Sequence, residues 1–272
     1  MTLQQTAERA IIKTYRKEIW NRFVEGVKQY RLLSEGDRVA VCLSGGKDSM
    51  LLAKCMQQLQ RHSDFPFELR FLALDPGYME ENRALLLLNA GQLGIPVELR
   101  EANIFRYVEK QQGAPCYLCA RMRRGYLYKY AQELGCNKIA LGHHFDDVIE
   151  TVLMSMLYGA EVKTMLPKLH SQHYDGMELI RPLYLVKEHD ILRWQNYCGL
   201  RFLSCACSLE QRHAEAGEAG KRAGVKELIA RLRKENDNVD SNIFHSVEDV
   251  NLETLLGYHT GEHHTSFLDL YD

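Results

Sequence analysis

The sequence lacks long hydrophobic runs and an apolar start. No apolar stretch approaches the roughly 18 residues that a membrane-spanning helix needs. The first ten residues, MTLQQTAERA, lack the apolar centre of a secretory signal peptide. From these absences we expect a soluble, cytoplasmic protein with no membrane partner.

A bias toward one charge, or toward glycine and proline, is also missing. The 272 residues include 34 basic and 36 acidic side chains, 19 glycines and 6 prolines, with a net charge of −2. This composition excludes a charge-rich disordered chain and a fibrous protein. The charge balance argues against a general polyanion binder but allows a local basic patch. The length allows one large domain with extensions.

Short apolar runs alternate with helix-period segments through the middle of the chain. The strand-like segments are 38–43, 69–74, 97–100, 138–141 and 179–183, and the helical ones are 50–59, 80–93, 121–134 and 147–158. This alternation predicts βαβ crossovers, and hence an α/β fold with an open parallel sheet and helices on both faces. An amphipathic helix is expected from residue 12 to 30, a polar loop over 168–176, and an exposed helix over 225–234.

The glycine pair after the first strand gives the strongest local signal. Residues 44–49 (SGGKDS), here called the phosphate loop, lie between a predicted strand and a predicted helix. Glycines let the backbone close on a phosphate, and the helix N-terminus favours an anion. The loop is not a Walker A motif, because Lys47 is followed by Asp48 rather than Ser or Thr.

A pair of acidic residues, here called the acidic corner, follows the fourth predicted strand. Residues 142–147 (GHHFDD) place Asp146 and Asp147 at the start of a helix, where carboxylates can cap free N–H groups. Hard oxygen ligands also suit Mg²⁺, which neutralises triphosphate charge. His143 is either catalytic or a structural hydrogen-bonding residue.

The chain has eight cysteines but no secretion signal, so a disulfide framework is not expected. Cys116 and Cys119 form a CxxC unit, and Cys205 and Cys207 form a second close pair. Thiolates in groups of three or four bind Zn²⁺ or an iron–sulfur cluster, although a lone CxxC is also typical of a redox pair. The other four are expected in the core: Cys42, Cys55, Cys136 and Cys198.

The phosphate loop resembles the SGGxDS signature of the PP-loop ATP pyrophosphatases, which cleave ATP to AMP and pyrophosphate. The resemblance implies phosphate contacts from five residues: Ser44, Gly45, Gly46, Lys47 and Ser49. It also implies a Mg²⁺-binding or loop-organising role for Asp48 and a nucleoside-side position for Asp75. In open α/β sheets, ligands generally bind at the carboxyl ends of the strands.

Three further segments narrow the resemblance to the tRNA 2-thiocytidine synthetase family. They are CYLCARMRRG (116–125), KIALGHHFDD (138–147) and MSMLYGAEVKTMLPKL (154–169), followed by IRPL (180–183). The resemblance implies ATP, Mg²⁺ and a 4Fe–4S cluster held by three cysteines. Cys116 and Cys119 would be two ligands and Cys205 or Cys207 the third, with Cys205 favoured. Gly142 would contact the nucleotide.

The resemblance predicts adenylation of the C2 oxygen of an anticodon-loop base, followed by sulfur transfer. The catalytic candidates are Lys47, Asp48, Asp146 and Asp147. The basic residues Arg121, Arg123, Arg124 and Lys129 form either an RNA contact or a solvated helix face. The implied partners are tRNA, a cysteine desulfurase or another sulfur donor, and a second copy in a homodimer. Two alternatives stay open: a PP-loop ligase or amidase with structural zinc, and a nucleotide-binding iron–sulfur sensor.

We therefore expect three segments. Residues 1–34 would form an N-terminal helical segment, 35–209 the PP-loop domain, and 210–272 a helical and partly irregular extension. The extension contains four histidines, His245, His259, His263 and His264. Histidine-rich tails can bind metal, but a partly disordered tail or docking arm is the favoured interpretation.

Overall fold

The computed structural model describes residues 1–108, 115–203 and 220–271, with only the backbone given for 115–117 and 270. It divides into two compact units, Met1–Asp147 with Leu166–Ala219, and Val148–Met165 with Gly220–Asp272. The three segments expected from the sequence stay a prediction. Among the described residues, no helix is long and apolar enough to cross a membrane.

The described chain contains helices at the segments predicted to be helical, and it also contains four others. The helices are α1 Leu3–Arg9, α2 Arg22–Gln29, α3 Lys47–His62, α4 Glu80–Gln92, α5 Ile104–Val108, α6 Pro115–Glu133, α7 Phe145–Gly159, α8 Glu188–Cys198, α9 Lys221–Glu235 and α10 Val239–His245. Those that were not predicted as individual helices are α1, α5, α8 and α10. Two π-helical segments, Ala10–Thr14 and Arg16–Asn21, lie between α1 and α2, where Tyr15 N donates to Ala10 O at 2.8 Å.

The sheet of the first unit has six strands. They are β1 Arg38–Leu43, β2 Glu68–Asp75, β3 Val97–Glu101, β4 Lys138–Ala140, β5 Lys168–His170 and β6 Glu178–Ile180. Their spatial order is β3-β2-β1-β4-β6-β5, and every pair is parallel except β5 with β6. The predicted α/β fold with an open, mostly parallel sheet and flanking helices is confirmed.

Two expectations about irregular segments differ from the structure. The polar segment 168–176 contains β5, which forms a hairpin with β6. The turn includes Gly176 at φ +70°, a backbone conformation that glycine adopts without strain. In the second unit, the expected irregular tail contains a hairpin of β7 Gly257–Thr260 and β8 His263–Ser266. Tertiary pairing orders these short polar segments, which carry little apolar periodicity.

The core of the first unit packs the N-terminal helices against α3, α8 and the sheet. Apolar residues spaced four apart in the N-terminal segment are buried: Ala7, Ile11, Tyr15, Ile19, Phe23 and Val27. Trp194 of α8 is fully buried, and its Nε1 donates to Ala7 O at 3.2 Å. The four cysteines expected in the core, Cys42, Cys55, Cys136 and Cys198, are all buried. The N-terminal helices therefore cover one face of the sheet domain.

A buried ion pair fastens α1 to α3. Lys54 Nζ lies 2.7 Å from Glu8 Oε1, and Arg61 Nη1 lies 3.0 Å from Glu8 Oε2. Burial raises the pKa of Glu8, but hydrogen bonds from Lys54 and Arg61 outweigh it and lower the value to about 2. Burial lowers the pKa of Lys54 despite the Glu8 carboxylate. The pair therefore stabilises the fold less than the shift of Glu8 alone suggests.

Replacement of Glu8 should test this fastening. We expect Glu8→Gln to lower the free energy of unfolding by about 1–3 kcal/mol at neutral pH, because Lys54 loses its carboxylate. The folded-state pKa of Glu8 is depressed from 4.5 to about 2, so its stabilisation is present above pH 4.5 and lost between pH 4.5 and 2. The difference from wild type in urea unfolding should shrink across that range.

The control is Glu25→Gln, which removes an exposed ion pair with Arg22 of 3.0 Å. This change should alter stability little, because exposed pairs contribute little. An equal loss in both variants would contradict the role of Glu8.

Candidate functional site

The phosphate loop joins β1 to α3 at the carboxyl edge of the sheet. Gly45 has φ +83°, and Gly46 is extended immediately before α3. Ser49 Oγ donates to Gly46 O at 2.9 Å and accepts from Ser44 N at 3.1 Å. Among the described residues, no side chain caps the N-terminus of α3. The loop is thus closed on itself and presents a helix N-terminus that suits an anion.

Lys47 is held between two carboxylates. Its Nζ lies 3.2 Å from Asp48 Oδ1 and 3.0 Å from Glu188 Oε1. Burial works to lower the pKa of Lys47, but Asp48 and Glu188 outweigh it and raise the value. Lys47 is therefore a charged ammonium group at the loop. Glu188 was missed by sequence reasoning, because it lies 141 residues away in the chain.

The loop after β4 approaches the phosphate loop closely. A Cβ atom on Gly142 would lie 3.0 Å from Ser49 N and 3.1 Å from the carbonyl carbon of Asp48. β1 and β4 are neighbours in the sheet, and the strand order reverses at this point. Such a switch point is where open α/β sheets bind ligands. Glycine at position 142 therefore lets the two loops meet.

The predicted acidic corner surrounds a buried histidine. His144 Nε2 lies 3.5 Å from Asp147 Oδ2 and 3.8 Å from Asp48 Oδ1, and its Nδ1 lies 3.9 Å from Asp146 Oδ2. Asp146 also accepts from Glu188 N at 2.6 Å, and Asp147 accepts from His144 N at 3.0 Å. Asp147 thus accepts from the residue before α7, and Asp146 accepts from the first residue of α8, a different helix from its own. Within the described chain, Asp48 Oδ1 and His144 Nδ1 are buried without a hydrogen bond.

Arg181 supports this corner from the strand side. Its Nε donates to His143 Nδ1 at 3.2 Å, and its Nη1 donates to Leu166 O. Burial lowers the pKa of Arg181 to about 10. His143 therefore makes a structural hydrogen bond, which is one of the two roles expected for it. Arg181 belongs to the IRPL segment, but the sequence did not indicate its hydrogen bond with His143.

Asp75 shapes the turn after β2. Its Oδ1 accepts from Gly77 N at 2.9 Å and from Tyr78 N at 2.7 Å, and its Oδ2 lies 3.5 Å from Arg83 Nη1. The turn places the Tyr78 hydroxyl 3.3 Å from Ser44 O, to which it donates. Asp75 and the phosphate loop are thus neighbours through Tyr78.

Helix α6 brings Cys119 to the same edge. Cys119 is half-buried and packs in a cluster with Leu74, at the end of β2. Burial raises the pKa of Tyr78, and Asp75 and Cys119 add to this shift while Arg123 opposes it. Cys119 therefore packs near the carboxyl end of β2, where the turn that carries Tyr78 begins. The side chain of Cys116 and the whole of Cys205 and Cys207 lie outside the described residues.

Leu203, shortly before the second cysteine pair in the sequence, contacts the phosphate loop. Leu203 N donates to Gly45 O at 3.1 Å, and a Cβ atom on Gly45 would lie 2.5 Å from Leu203 Cδ1. Cys205 follows two residues later in the sequence. In the described part of the chain, no three His, Cys, Asp or Glu side chains are grouped to hold a metal ion.

The basic residues of α6 occupy two faces. Arg121, Arg124 and Lys129 are exposed. Arg123 is half-buried, and its Nη2 donates to Tyr78 OH at 3.2 Å. Three of the four candidates thus form an exposed basic face, while Arg123 faces the turn after β2.

Known proteins with similar sequences include a domain family and curated enzymes. A family model described as the PP-loop domain matches residues 15–213. The chain is 36% identical over 235 residues to the tRNA-cytidine(32) 2-sulfurtransferase of Legionella pneumophila (strain Paris), covering 85% of this chain and 81% of the relative. It is 33% identical over 249 residues to the same-named protein of Coxiella burnetii (strain RSA 331 / Henzerling II), covering 90% and 94%.

A solved structure shares the fold. It is the U34-tRNA thiolase NcsA from Methanococcus maripaludis with its [4Fe-4S] cluster, with a TM-score of 0.66 and 21% identity. The match covers 86% of this chain and 80% of that one. At this identity the likeness shows the fold alone.

The contact between the two loops can be tested at Gly142. We expect Gly142→Ala to weaken ATP binding about 10-fold, or about 1.4 kcal/mol, because the new methyl group presses on the backbone of Asp48 and Ser49. Isothermal titration with ATP measures this effect. The control is Gly91→Ala in α4, where an added Cβ meets no atom within 4 Å among the described residues. Unchanged ATP affinity in Gly142→Ala would contradict the close approach.

Proposed function

Because this chain belongs to the PP-loop family of the tRNA-cytidine(32) 2-sulfurtransferases, we propose that it uses ATP to convert a cytidine of tRNA to 2-thiocytidine. The observation that carries the proposal is the meeting of the phosphate loop, the GHHFDD corner and Cys119 at one edge of the sheet. This arrangement suits a reaction that activates an oxygen with ATP and then replaces it with sulfur.

In this proposal the phosphate loop binds the pyrophosphate end of ATP. Gly142 and Asp75 lie on the nucleoside side. The phosphate contacts come from the backbone and side chains of the loop: Ser44, Gly45, Gly46, Lys47, Asp48 and Ser49. Lys47 supplies positive charge that offsets the leaving pyrophosphate, and its raised pKa keeps it protonated at neutral pH. Catalysis is mainly positioning and charge stabilisation.

The carboxylates of the corner fit a Mg²⁺ ion. Asp48 Oδ1 is buried without a hydrogen bond among the described residues and lies 3.2 Å from Lys47 Nζ, so this carboxylate oxygen still has lone pairs for a cation. Mg²⁺ usually binds through one or two carboxylates together with substrate phosphates, so a complete protein cage is not required. Asp48 would hold it, with Asp146 or Asp147 as a second carboxylate. When bound, Mg²⁺ neutralises triphosphate charge.

The cysteines fit an iron–sulfur cluster by their donor chemistry. Three thiolates, from Cys116, Cys119 and Cys205 or Cys207, would be its ligands, with Cys205 favoured. Two contacts support this location: Cys119 packs against the cluster that contains Leu74, and Leu203 N donates to Gly45 O. When bound, the cluster supplies an open iron that carries sulfur. Structural zinc on the same thiolates is the alternative.

The reaction proceeds in two stages. The C2 oxygen of the cytidine attacks the α-phosphate of ATP, and pyrophosphate leaves into the phosphate loop. Sulfide then attacks C2, and AMP leaves. The chain orients the base and the α-phosphate, while Lys47 and the helix N-terminus stabilise the charge on pyrophosphate.

The exposed residues of α6 provide the RNA contact in this proposal. Arg121, Arg124 and Lys129 would bind tRNA phosphates. A cysteine desulfurase or another sulfur donor delivers the sulfur, a second copy of the chain completes a homodimer, and the reaction takes place in the cytoplasm, where tRNA is available.

Nucleoside analysis tests the reaction directly. A deletion strain should lack 2-thiocytidine in its tRNA by mass spectrometry, and the wild-type gene should restore it. Cys119→Ser should fail to restore it and should lose visible absorbance in anaerobically purified protein, because a cluster ligand is removed. Cys198→Ala, at a buried cysteine of α8, should keep both.

Other outcomes identify the rival functions. Unchanged 2-thiocytidine in the deletion strain contradicts the proposal. A colourless, zinc-containing protein that releases AMP with a small substrate indicates a ligase or amidase. A coloured protein that releases no AMP or pyrophosphate with tRNA indicates an iron–sulfur sensor.

Salt dependence tests the RNA face. We expect the triple change of Arg121, Arg124 and Lys129 to Gln to weaken tRNA binding and to reduce the slope of log K against log salt by about 2, because up to three phosphate contacts are lost. The matched control changes three exposed lysines of the N-terminal segment to Gln: Lys13, Lys17 and Lys28. Equal slopes for wild type and the α6 variant would contradict the assignment.

A further inference from the structure

A chain of hydrogen bonds connects α6 to the phosphate loop. Arg123 Nη2 donates to Tyr78 OH at 3.2 Å, and Tyr78 OH donates to Ser44 O at 3.3 Å. A tyrosine hydroxyl can accept and donate at the same time, so both bonds form together. A charged donor polarises the hydroxyl and strengthens its bond to the carbonyl.

Further contacts hold Tyr78 in place at the phosphate-loop end of these hydrogen bonds. Its backbone N–H donates to Asp75 Oδ1 at 2.7 Å, and its ring packs edge-on against Phe105 with centroids 6.1 Å apart. Burial and the nearby Asp75 raise the pKa of Tyr78, so the hydroxyl keeps its proton and remains a donor. The carbonyl that it holds belongs to Ser44, which precedes Gly45 at φ +83°. Tyr78 therefore braces the loop at the start of its sharpest turn.

At the other end of these hydrogen bonds, Arg123 lies on α6, the helix that bears the proposed RNA face. Arg123 is flanked by Arg121 and Arg124 in the sequence and lies four residues after Cys119. A helix moves largely as a rigid rod, so tRNA docking that shifts or orders α6 also acts on Arg123. Tyr130, on α6, makes a hydroxyl-to-carbonyl bond to β3 rather than to the phosphate loop, since it donates to Glu101 O at 3.2 Å.

We propose that Tyr78 and Arg123 are positioning residues that couple tRNA docking on α6 to ATP binding in the phosphate loop. The inference rests on the proposed function. tRNA on the exposed face fixes α6, which keeps Arg123 on the Tyr78 hydroxyl and that hydroxyl on Ser44 O, so the loop keeps the shape that binds the phosphates. By linkage, ATP tightens tRNA binding by the same factor.

The test measures the affinity of one ligand with and without the other. The probes are an ATP analogue with a methylene bridge between its α- and β-phosphates, and a tRNA transcript with unmodified cytidine at position 32. In the full-length wild-type protein, we expect saturating tRNA to tighten analogue binding at least about 5-fold. In Tyr78→Phe, which keeps the ring and loses both hydrogen bonds, this ratio should fall close to 1.

Four further variants separate coupling from a structural effect. Tyr130→Phe removes a similar hydroxyl-to-carbonyl bond from α6 and should keep the wild-type ratio. Arg123→Lys retains a donor and should keep part of the coupling, while Arg123→Gln should lose most of it. Tyr78→Phe combined with Arg123→Gln should be no worse than either alone, because both changes break one chain. Thermal unfolding of each variant confirms that it is folded.

The outcomes are distinct. A wild-type ratio in Tyr78→Phe, or an equal loss in Tyr130→Phe, overturns the coupling. A wild-type ratio of 1 with both ligands bound also overturns the coupling and leaves the proposed function standing. A wild-type protein that binds the analogue but no tRNA overturns the proposed function, and the coupling with it.

Discussion

The parallel pairing of β1 with β2 and β4 is the constraint on which the rest of the site depends. Parallel strands end at the same edge, so the phosphate loop, the turn at Asp75 and the loop at Gly142 must meet there. The glycine at 142 allows backbone to approach backbone at about van der Waals distance. The edge is completed by Arg123 of α6 and Glu188 of α8.

Charge at this edge is balanced within the protein. Lys47 lies between Asp48 and Glu188, and His144 lies among three carboxylates. A phosphate that enters the loop must compete with Glu188 for Lys47, which favours a ligand carrying several negative charges together with a cation. The same carboxylates hydrogen-bond to backbone, so they organise the loops in addition to any role with metal.

The motifs and most of the fold could be predicted, because both depend on local patterns. β-branched runs such as RVAVCL indicate buried strands, and the SGGKDS string indicates its own turn. β5 was missed because Lys168, Leu169 and His170 form a strand only by pairing with β6. Glu188, Arg181 and Tyr78 were missed because each acts on a residue at least 34 positions away in the chain. No local spacing reports such a contact.

The sequence by itself determined which chemical groups lie in which short segments: glycines and a lysine after the first strand, paired carboxylates after the fourth, and two close cysteine pairs. These properties belong to side-chain types and to short loops, so they need no knowledge of distant neighbours. The tertiary structure decided which groups act together. It placed Glu188 on Lys47, directed Arg123 to Tyr78 while Arg121 and Arg124 face solvent, and brought Tyr78 to Ser44. The physical reason is that packing of helices on the sheet, and not position in the chain, sets which polar groups lie within hydrogen-bonding distance.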